Sequence, residues 1–342
     1  MSYKINWTES PLNCQTPKNW SVWRKMEISI IIPVYNRAQL LERTLRSVVK
    51  QSYRPLHVIL IDNGSTDDSM SLLQRFKQEQ ETDGFRVSVG CEEFPGATSA
   101  RNKGLDFVDT EWVMFFDSDD EMRPELVARY ADAIRHSPTT DIFYIDVEIR
   151  SASGTTVVKW APSSVGFIYS SIFHSFLSTQ RYIVRRSVLE KAGRWNPTVK
   201  AWNDWELGLR LLLVTDRLKK VKSAVPLVLI HAHGDSITGN SFSEKEGVWE
   251  QAVDAAELAV RKAGRQDTNR LLCSLEYKRI MLAGAYTCEG NDAGRKLYRQ
   301  VMERARGNWL LSAMCRMGYW LLCRHVRGTA RIAEQLFRFV KN

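Results

Sequence analysis

Three carboxylates stand in a row directly after an apolar run in Phe115-Phe116-Asp117-Ser118-Asp119-Asp120. Left unpaired, such acids repel one another and raise each other's pKa. A hard divalent cation resolves the conflict, and Mg²⁺ or Mn²⁺ takes one or two carboxylates together with substrate phosphate oxygens. The bland reading is an acidic cap for a helix beginning near Pro124. A second acidic turn, Asp62-Asn63-Gly64-Ser65-Thr66-Asp67, offers an acid and an amide that can accept hydrogen bonds from a ribose or a base, or simply cap the next helix. A third group, Trp202-Asn203-Asp204-Trp205, sets one carboxylate between two indoles. Rings stack on the apolar faces of sugars and an acid can take a hydroxyl proton. The same residues would also serve as a helix start with two core tryptophans.

These groups need elements to hold them. Ile28–Val34 and His57–Ile61 read as strands buried on both faces, Val87–Val89 and Trp112–Phe116 as further strands, and Ile142–Val147 as a fifth. Helical spacing covers Ala38–Gln51, Ser69–Gln80, Ala97–Phe107 and Pro124–His136. A hairpin is expected at Ser151–Trp160 around Gly154, a strand and helix within Leu177–Ala192, a helix over Asp204–Thr215 and a strand at Val225–His231. Alternation of strand and helix predicts a mostly parallel α/β sheet covered on both sides, which binds ligands at the carboxyl ends of its strands. Both acidic turns fall at such ends.

The 342 residues divide into an irregular arm at 1–25 marked by Trp7, Trp20 and Trp23, an α/β domain at 26–240 and a helical extension at 241–342. The formal net charge is +9, but 304–342 holds eight bases and one acid, so the rest carries only +2. That distribution argues against nucleic acid and directs attention to what the tail touches. Taken as one helix, Trp309–Phe339 gathers Arg316, Arg324, Arg327, Arg331 and Arg338 in one arc, with Trp309 and Trp320 on that side and an apolar face broadly opposite. This pattern suits peripheral contact with an anionic membrane. Gly318 and Gly328 are candidate breaks. Six cysteines without a CxxC pair, and no apolar leader, predict a reducing cytoplasm. No run of 18 uncharged apolar residues predicts a spanning helix.

The succession Ile30-Ile31-Ile32-Pro33-Val34-Tyr35-Asn36, Asp62-Asn63-Gly64-Ser65-Thr66-Asp67, Gly96 with Ala100-Arg101-Asn102-Lys103-Gly104-Leu105, Asp117-Ser118-Asp119-Asp120 and Asn203-Asp204-Trp205 resembles family 2 glycosyltransferases of the GT-A fold, over about Glu27 to Ser236. The resemblance implies an inverting enzyme that uses a nucleotide-diphosphate sugar and a divalent metal, Mg²⁺ or Mn²⁺. It sets Pro33, Tyr35 and Asn36 beside the nucleotide, Asp62 and Asn63 at base and ribose, and Arg101, Asn102, Asp117 and Ser118 around the donor. It makes Asp119 the direct metal ligand, with Asp117 and His233 near the metal and diphosphate. Asp204 becomes the general base, and Trp202 and Trp205 the acceptor platform. Asn63 stands where many relatives carry a second Asp; its amide oxygen still suits a pyrimidine N3–H, so uridine or thymidine fits, with a UDP-sugar the donor expected. Asn203 replaces a Glu. The acceptor implied is a glycan or lipid-linked saccharide at the cytoplasmic face of a bacterial membrane. The alternative is a catalytically inactive nucleotide-sugar-binding scaffold, which would be expected to have lost Asp119 or Asp204.

Overall fold

The computed structural model describes residues 26–159, 166–232 and 241–337. The arm at 1–25, His233, Arg338 and Phe339 lie outside the described residues. The chain forms two compact units that interleave in sequence. The first comprises 1–159, 179–190 and 217–232, and the second 160–178, 191–216 and 233–342.

In the first unit, β1 (Ile28–Val34), β2 (Leu56–Asp62), β3 (Phe85–Cys91) and β4 (Trp112–Phe115) alternate with α1 (Ala38–Val49), α2 (Ser69–Gln80) and α3 (Ala97–Leu105). There follow β5 (Glu121–Met122), α4 (Leu126–His136), β6 (Ile142–Tyr144), β7 (Val147–Ser151), β8 (Gly154–Val158), β9 (Tyr182–Arg185), β10 (Leu218–Lys220) and β11 (Val228–His231). The main sheet has the order β10-β6-β9-β4-β1-β2-β3, and a second runs β5-β11-β7-β8. β1 pairs in parallel with both β2 and β4; only β9 runs antiparallel in the main sheet. Every residue of β1 and β2 is buried, as their mostly apolar sequences suit, and Ser29, His57 and Asp62 are the polar residues buried with them.

The run Ile142–Val147 is not one strand. β6 ends at Tyr144 in the main sheet and β7 begins at Val147 in the second, so a stretch that is apolar except for Asp146 passes from one sheet to the other. The hairpin around Gly154 forms as β7 and β8, with Gly154 at φ +128, a conformation that favours glycine. At Gly104 an added Cβ would lie 2.5 Å from Cγ2 of Ile31, so glycine is what lets α3 close onto β1.

The second unit contains α5 (Phe167–Phe173), α7 (Asn203–Val214), α8 (Val248–Ala263), α9 (Thr268–Cys288), α10 (Ala293–Arg304), α11 (Trp309–Cys323) and α12 (Thr329–Leu336); α6 (Arg186–Ala192) begins in the first unit and ends in the second. α9 packs against α8, α10 and α11. The tail is two helices, not one. His325 (φ 55) and Gly328 (φ 86) turn the chain through left-handed backbone between them. Gly318 does not break α11; it lets that helix close onto Tyr277 of α9. The arginines therefore do not form one continuous stripe, and the apolar side of α11 (Leu311, Met314, Cys315) is buried. The residues left exposed on α11 are Trp309, Ala313, Arg316, Met317 and Trp320, with Arg324 at its end. They recur at intervals that place them on one face. No described helix is long and apolar enough to cross a membrane.

Candidate active site

The loops at the carboxyl ends of β1, β2 and β4 are stitched together by side chains from the acidic turns. Pro33 is buried in β1 opposite Ile61. β4 stops pairing at Ile31, so the missing N–H of Pro33 falls where β1 has a neighbour on one side only. Tyr35 follows, 56% exposed. Asn36 takes left-handed backbone (φ 48), which Asn tolerates better than most residues. Its N–H donates to Ser65 Oγ at 3.0 Å, and its Oδ1 accepts from the Thr66 N–H at 2.8 Å. Asp67 accepts from the Ala38 and Ser69 amides, both at 3.0 Å, and so caps the starts of α1 and α2 with one carboxylate.

Asp62 ends β2 and is buried. Its Oδ2 accepts from the Gly64 and Ser65 amides at 3.1 and 3.0 Å. Its Oδ1 is sealed from solvent and has no hydrogen-bond partner. A buried acceptor left in that state costs stability, and a water, an ion or a ligand's donor can satisfy it. Asn63 is spent differently. Its amide nitrogen donates to the carbonyls of Glu92 and Phe94 at 2.9 and 2.8 Å, and its Oδ1 accepts from Gly96 N–H at 2.6 Å. The amide thereby fixes the 92–96 loop and retains one lone pair. Phe94, on that loop, is 76% exposed.

The three carboxylates after β4 have distinct surroundings. Asp117 accepts from Arg101 on α3 at 2.7 Å through Oδ1 and from Gln180 at 2.6 Å through Oδ2. Ser118 is buried, and Asn102 is half-buried on α3. Asp120 is buried, accepts from the His231 amide at 2.8 Å and is also bonded by Gln180. Burial, then the charges of Asp117 and Asp119, push its carboxyl up to about 8. Asp119 is partly exposed, with Nε of Arg37 at 3.7 Å. Nothing in the sequence pattern marked Gln180; antiparallel β9 delivers it from a short turn. Arg37 followed a recognisable loop but gave no signal of facing Asp119.

Among the described residues, no three His, Cys, Asp or Glu side chains converge as a closed metal cage. The donor set does fit a Mg²⁺-like ion that keeps most of its shell for water and phosphate. Asp119 supplies a partly exposed carboxylate two residues beyond Asp117.

In the second unit, Asp204 lies in the first turn of α7 and its Oδ1 accepts from the Trp205 amide at 2.8 Å. Trp202, before it, caps the helix in left-handed backbone (φ 52). Trp205 is 1% exposed and donates from Nε1 to the Ser171 carbonyl at 2.8 Å, so its ring is an interior one. Trp202 is half-buried, with ring centroids of Trp205, Trp249 and Phe242 at 5.8, 5.1 and 6.1 Å. Lys278 of α9, which no motif announced, holds its ammonium 4.5 Å from the Trp202 ring centre and 5.2 Å from that of Trp205.

Comparison with known proteins accords with this geometry. Residues 29–186 match Glycosyl transferase family 2. A PGL/p-HBAD biosynthesis glycosyltransferase of Mycobacterium bovis is 27% identical over 183 residues, which is 53% of this chain and 68% of that one. The putative teichuronic acid biosynthesis glycosyltransferase TuaG of Bacillus subtilis is 36% identical over 148 residues, 42% of this chain and 56% of that one. The crystal structure of S. aureus TarS 1–349 in complex with UDP-GlcNAc superposes with a TM-score of 0.62 at 16% identity, covering 92% of each chain, and shares the fold. A parallel sheet whose acidic turns meet at the ends of β1, β2 and β4, in a segment that carries the family's sequence pattern, identifies residues 29–186 as a family 2 glycosyltransferase domain.

Proposed function

We propose that this chain transfers one sugar from a uridine-diphosphate sugar to a hydroxyl of a glycan or lipid-linked acceptor, with inversion. The observation that carries the donor half is the buried, unpartnered Oδ1 of Asp62, an acceptor suited to the N3–H of a pyrimidine. Exposed Tyr35 offers a ring for the base, and Asn36, Arg101 and Asn102 line the rest of the donor. Asp119, supported by Asp117, would hold Mg²⁺ or Mn²⁺; when bound, the ion offsets negative charge on the leaving diphosphate. Arg101 fixes Asp117, and Gln180 keeps Asp117 and Asp120 in place. His233 remains a candidate diphosphate contact. Asp204 takes the proton of the attacking hydroxyl, one base sufficing for a single displacement, whereas a glycosidase needs two flanking carboxyls. Trp202 serves as the acceptor's wall, while Trp205 supports it from the interior.

The presence of both Asp119 and Asp204 favours an active enzyme over a scaffold. The exposed Trp309, Arg316, Met317, Trp320 and Arg324 face supports peripheral contact with anionic lipid at the inner face of the membrane. It does so through its tryptophan and arginine side, since the apolar side is used for packing. The acid in this segment, Glu334, is buried and leaves the exposed charge basic. Calorimetry with UDP, dTDP and GDP in the presence of Mn²⁺ tests the donor reading: UDP should bind at least tenfold more tightly than GDP, and equal binding would reject the pyrimidine assignment.

A further inference from the structure

Lys278 is 7% exposed. Lysine is rarely taken this far out of water, because the lost hydration must be repaid. Indole faces repay part of it, and the ammonium stands over Trp202 and Trp205, the two residues that bracket Asp204 in sequence. Both rings are fixed. Trp205 is tied to the Ser171 carbonyl, and Trp202 is backed by Trp249 and Phe242. The cation stands over the indoles of Trp202 and Trp205, and the Asp204 carboxylate accepts from the backbone N–H of Trp205. Among the described residues, Lys278 has no carboxylate in ion-pair contact; the acid whose charge it feels is Asp204. Burial pushes its ammonium down to about 8, and the Asp204 carboxylate opposes that shift.

The other charged groups nearby come from α5 and α12. Glu334 is bonded by Ser170 and lies 3.5 Å from Nε2 of His174. Burial lowers the His174 pKa; Glu334 opposes the shift, while Lys278 and Arg331 add to it. Glu334 is thus engaged by Ser170 and His174, and the carboxylate that opposes the shift at Lys278 is that of Asp204.

We infer that Lys278 is a positioning residue for Asp204: a sealed ammonium, held on the two indoles that bracket the base, which keeps the Asp204 carboxylate ionised and ready to accept the acceptor's proton. This rests on Asp204 being the base. A partly desolvated carboxylate beside aromatic rings drifts upward in pKa, and a neighbouring cation reverses the drift.

The test uses the full chain as wild type, Lys278→Arg, Lys278→Met and Asp204→Asn. In the first arm, lysine labelled at Cε and Nζ is titrated by NMR without substrate. The signal missing from Lys278→Arg should titrate well below the usual lysine range, and lower still in Asp204→Asn. A Lys278 signal at the ordinary value, or one unmoved by Asp204→Asn, overturns the coupling. In the second arm, the pH profile of Mn²⁺-dependent UDP-GlcNAc hydrolysis is measured. Lys278→Met should move the acidic limb upward by about one pH unit, and Lys278→Arg should restore it. A packing role alone would lower the rate and leave the limb in place, which also overturns the inference. Wild-type turnover in Asp204→Asn would instead reject Asp204 as the base while leaving the NMR result standing, so the two failures are distinguishable. Should Lys278→Met not fold, the titrations of wild type and Asp204→Asn decide the coupling on their own.

Discussion

Asp62→Asn isolates one atom. In the wild type, Oδ2 accepts from Gly64 and Ser65 and Oδ1 accepts from nothing. The amide is almost isosteric, and its single oxygen can keep the two turn hydrogen bonds. Its NH₂ then occupies the place of Oδ1. The unliganded fold should therefore lose little: the turn survives, and Asp67 still caps α1 and α2. Donor binding should suffer twice. A hydrogen bond to a charged acceptor, worth about 1.5–3 kcal/mol, disappears, and two N–H donors now face each other, leaving a buried donor unsatisfied at a further ~1–3 kcal/mol. Together these predict a loss of about 2.5–6 kcal/mol. At about 1.4 kcal/mol per decade the weakening is at least roughly 50-fold. Calorimetric titration of UDP with Mn²⁺ reads this directly, and a melting curve checks that the variant is folded. If Asp62→Asn binds UDP within threefold of wild type while its melting temperature is unchanged, the empty oxygen is not the base contact and the donor assignment fails with it.

Asp204→Asn should retain UDP binding and lose transfer by about 10²–10⁴-fold, the range for removing a general base; near-normal turnover in an acceptor assay would exclude it from the mechanism. Replacing both Trp309 and Trp320 by Ala should abolish flotation of the full chain with phosphatidylserine vesicles while leaving its melting temperature in place, and unaltered flotation would disqualify this face. Gly318→Ala pushes a methyl against buried Tyr277, whose Cζ would stand 2.6 Å away. It should cost about 1–3 kcal/mol, measured by urea unfolding. His57 is held neutral down to about 4 by burial and then by Arg86 beside it. The unfolded chain takes up that proton near 6.5. Stability conferred by neutral His57 is thus present above about 6.5 and lost as pH falls toward 4. His57→Gln should flatten that part of the melting-temperature profile, and an unchanged slope would show that other groups govern it.

The first unit was legible because burial on both faces leaves an unmistakable record. A strand such as Ile28–Val34 is apolar except at Ser29, whose hydroxyl is paired with that of Thr110, and glycine at 104 is demanded by α3 closing on β1. The passage from β6 to β7 was harder to read: four apolar residues precede it and Val147 follows, and the single polar residue between the strands, Asp146, does not by itself mark a change of sheet. The tail misled differently. Helical periodicity continues across Gly328, and only left-handed backbone at His325 and Gly328 breaks it. Which side of α11 faces solvent was decided by Tyr277, a partner 41 positions away that no local pattern reports.

The candidate site shows the same division between local and distant causes. Asp62, Asn36 and Asp117 announce themselves because their turns need particular residue types, but what each is free to do depends on neighbours that arrive from elsewhere. Asn63 looked like a base contact and spends most of its amide on the 92–96 loop. Gln180 and Lys278 sit in stretches without any motif, yet one holds two of the three acids and the other stands over the rings beside Asp204. Motifs record which atoms must be present. The direction in which those atoms remain unsatisfied is set by side chains whose only qualification is that the fold carries them there. The unpartnered Oδ1 of Asp62, more than the acidic turn that contains it, is therefore what the proposed donor reading stands on.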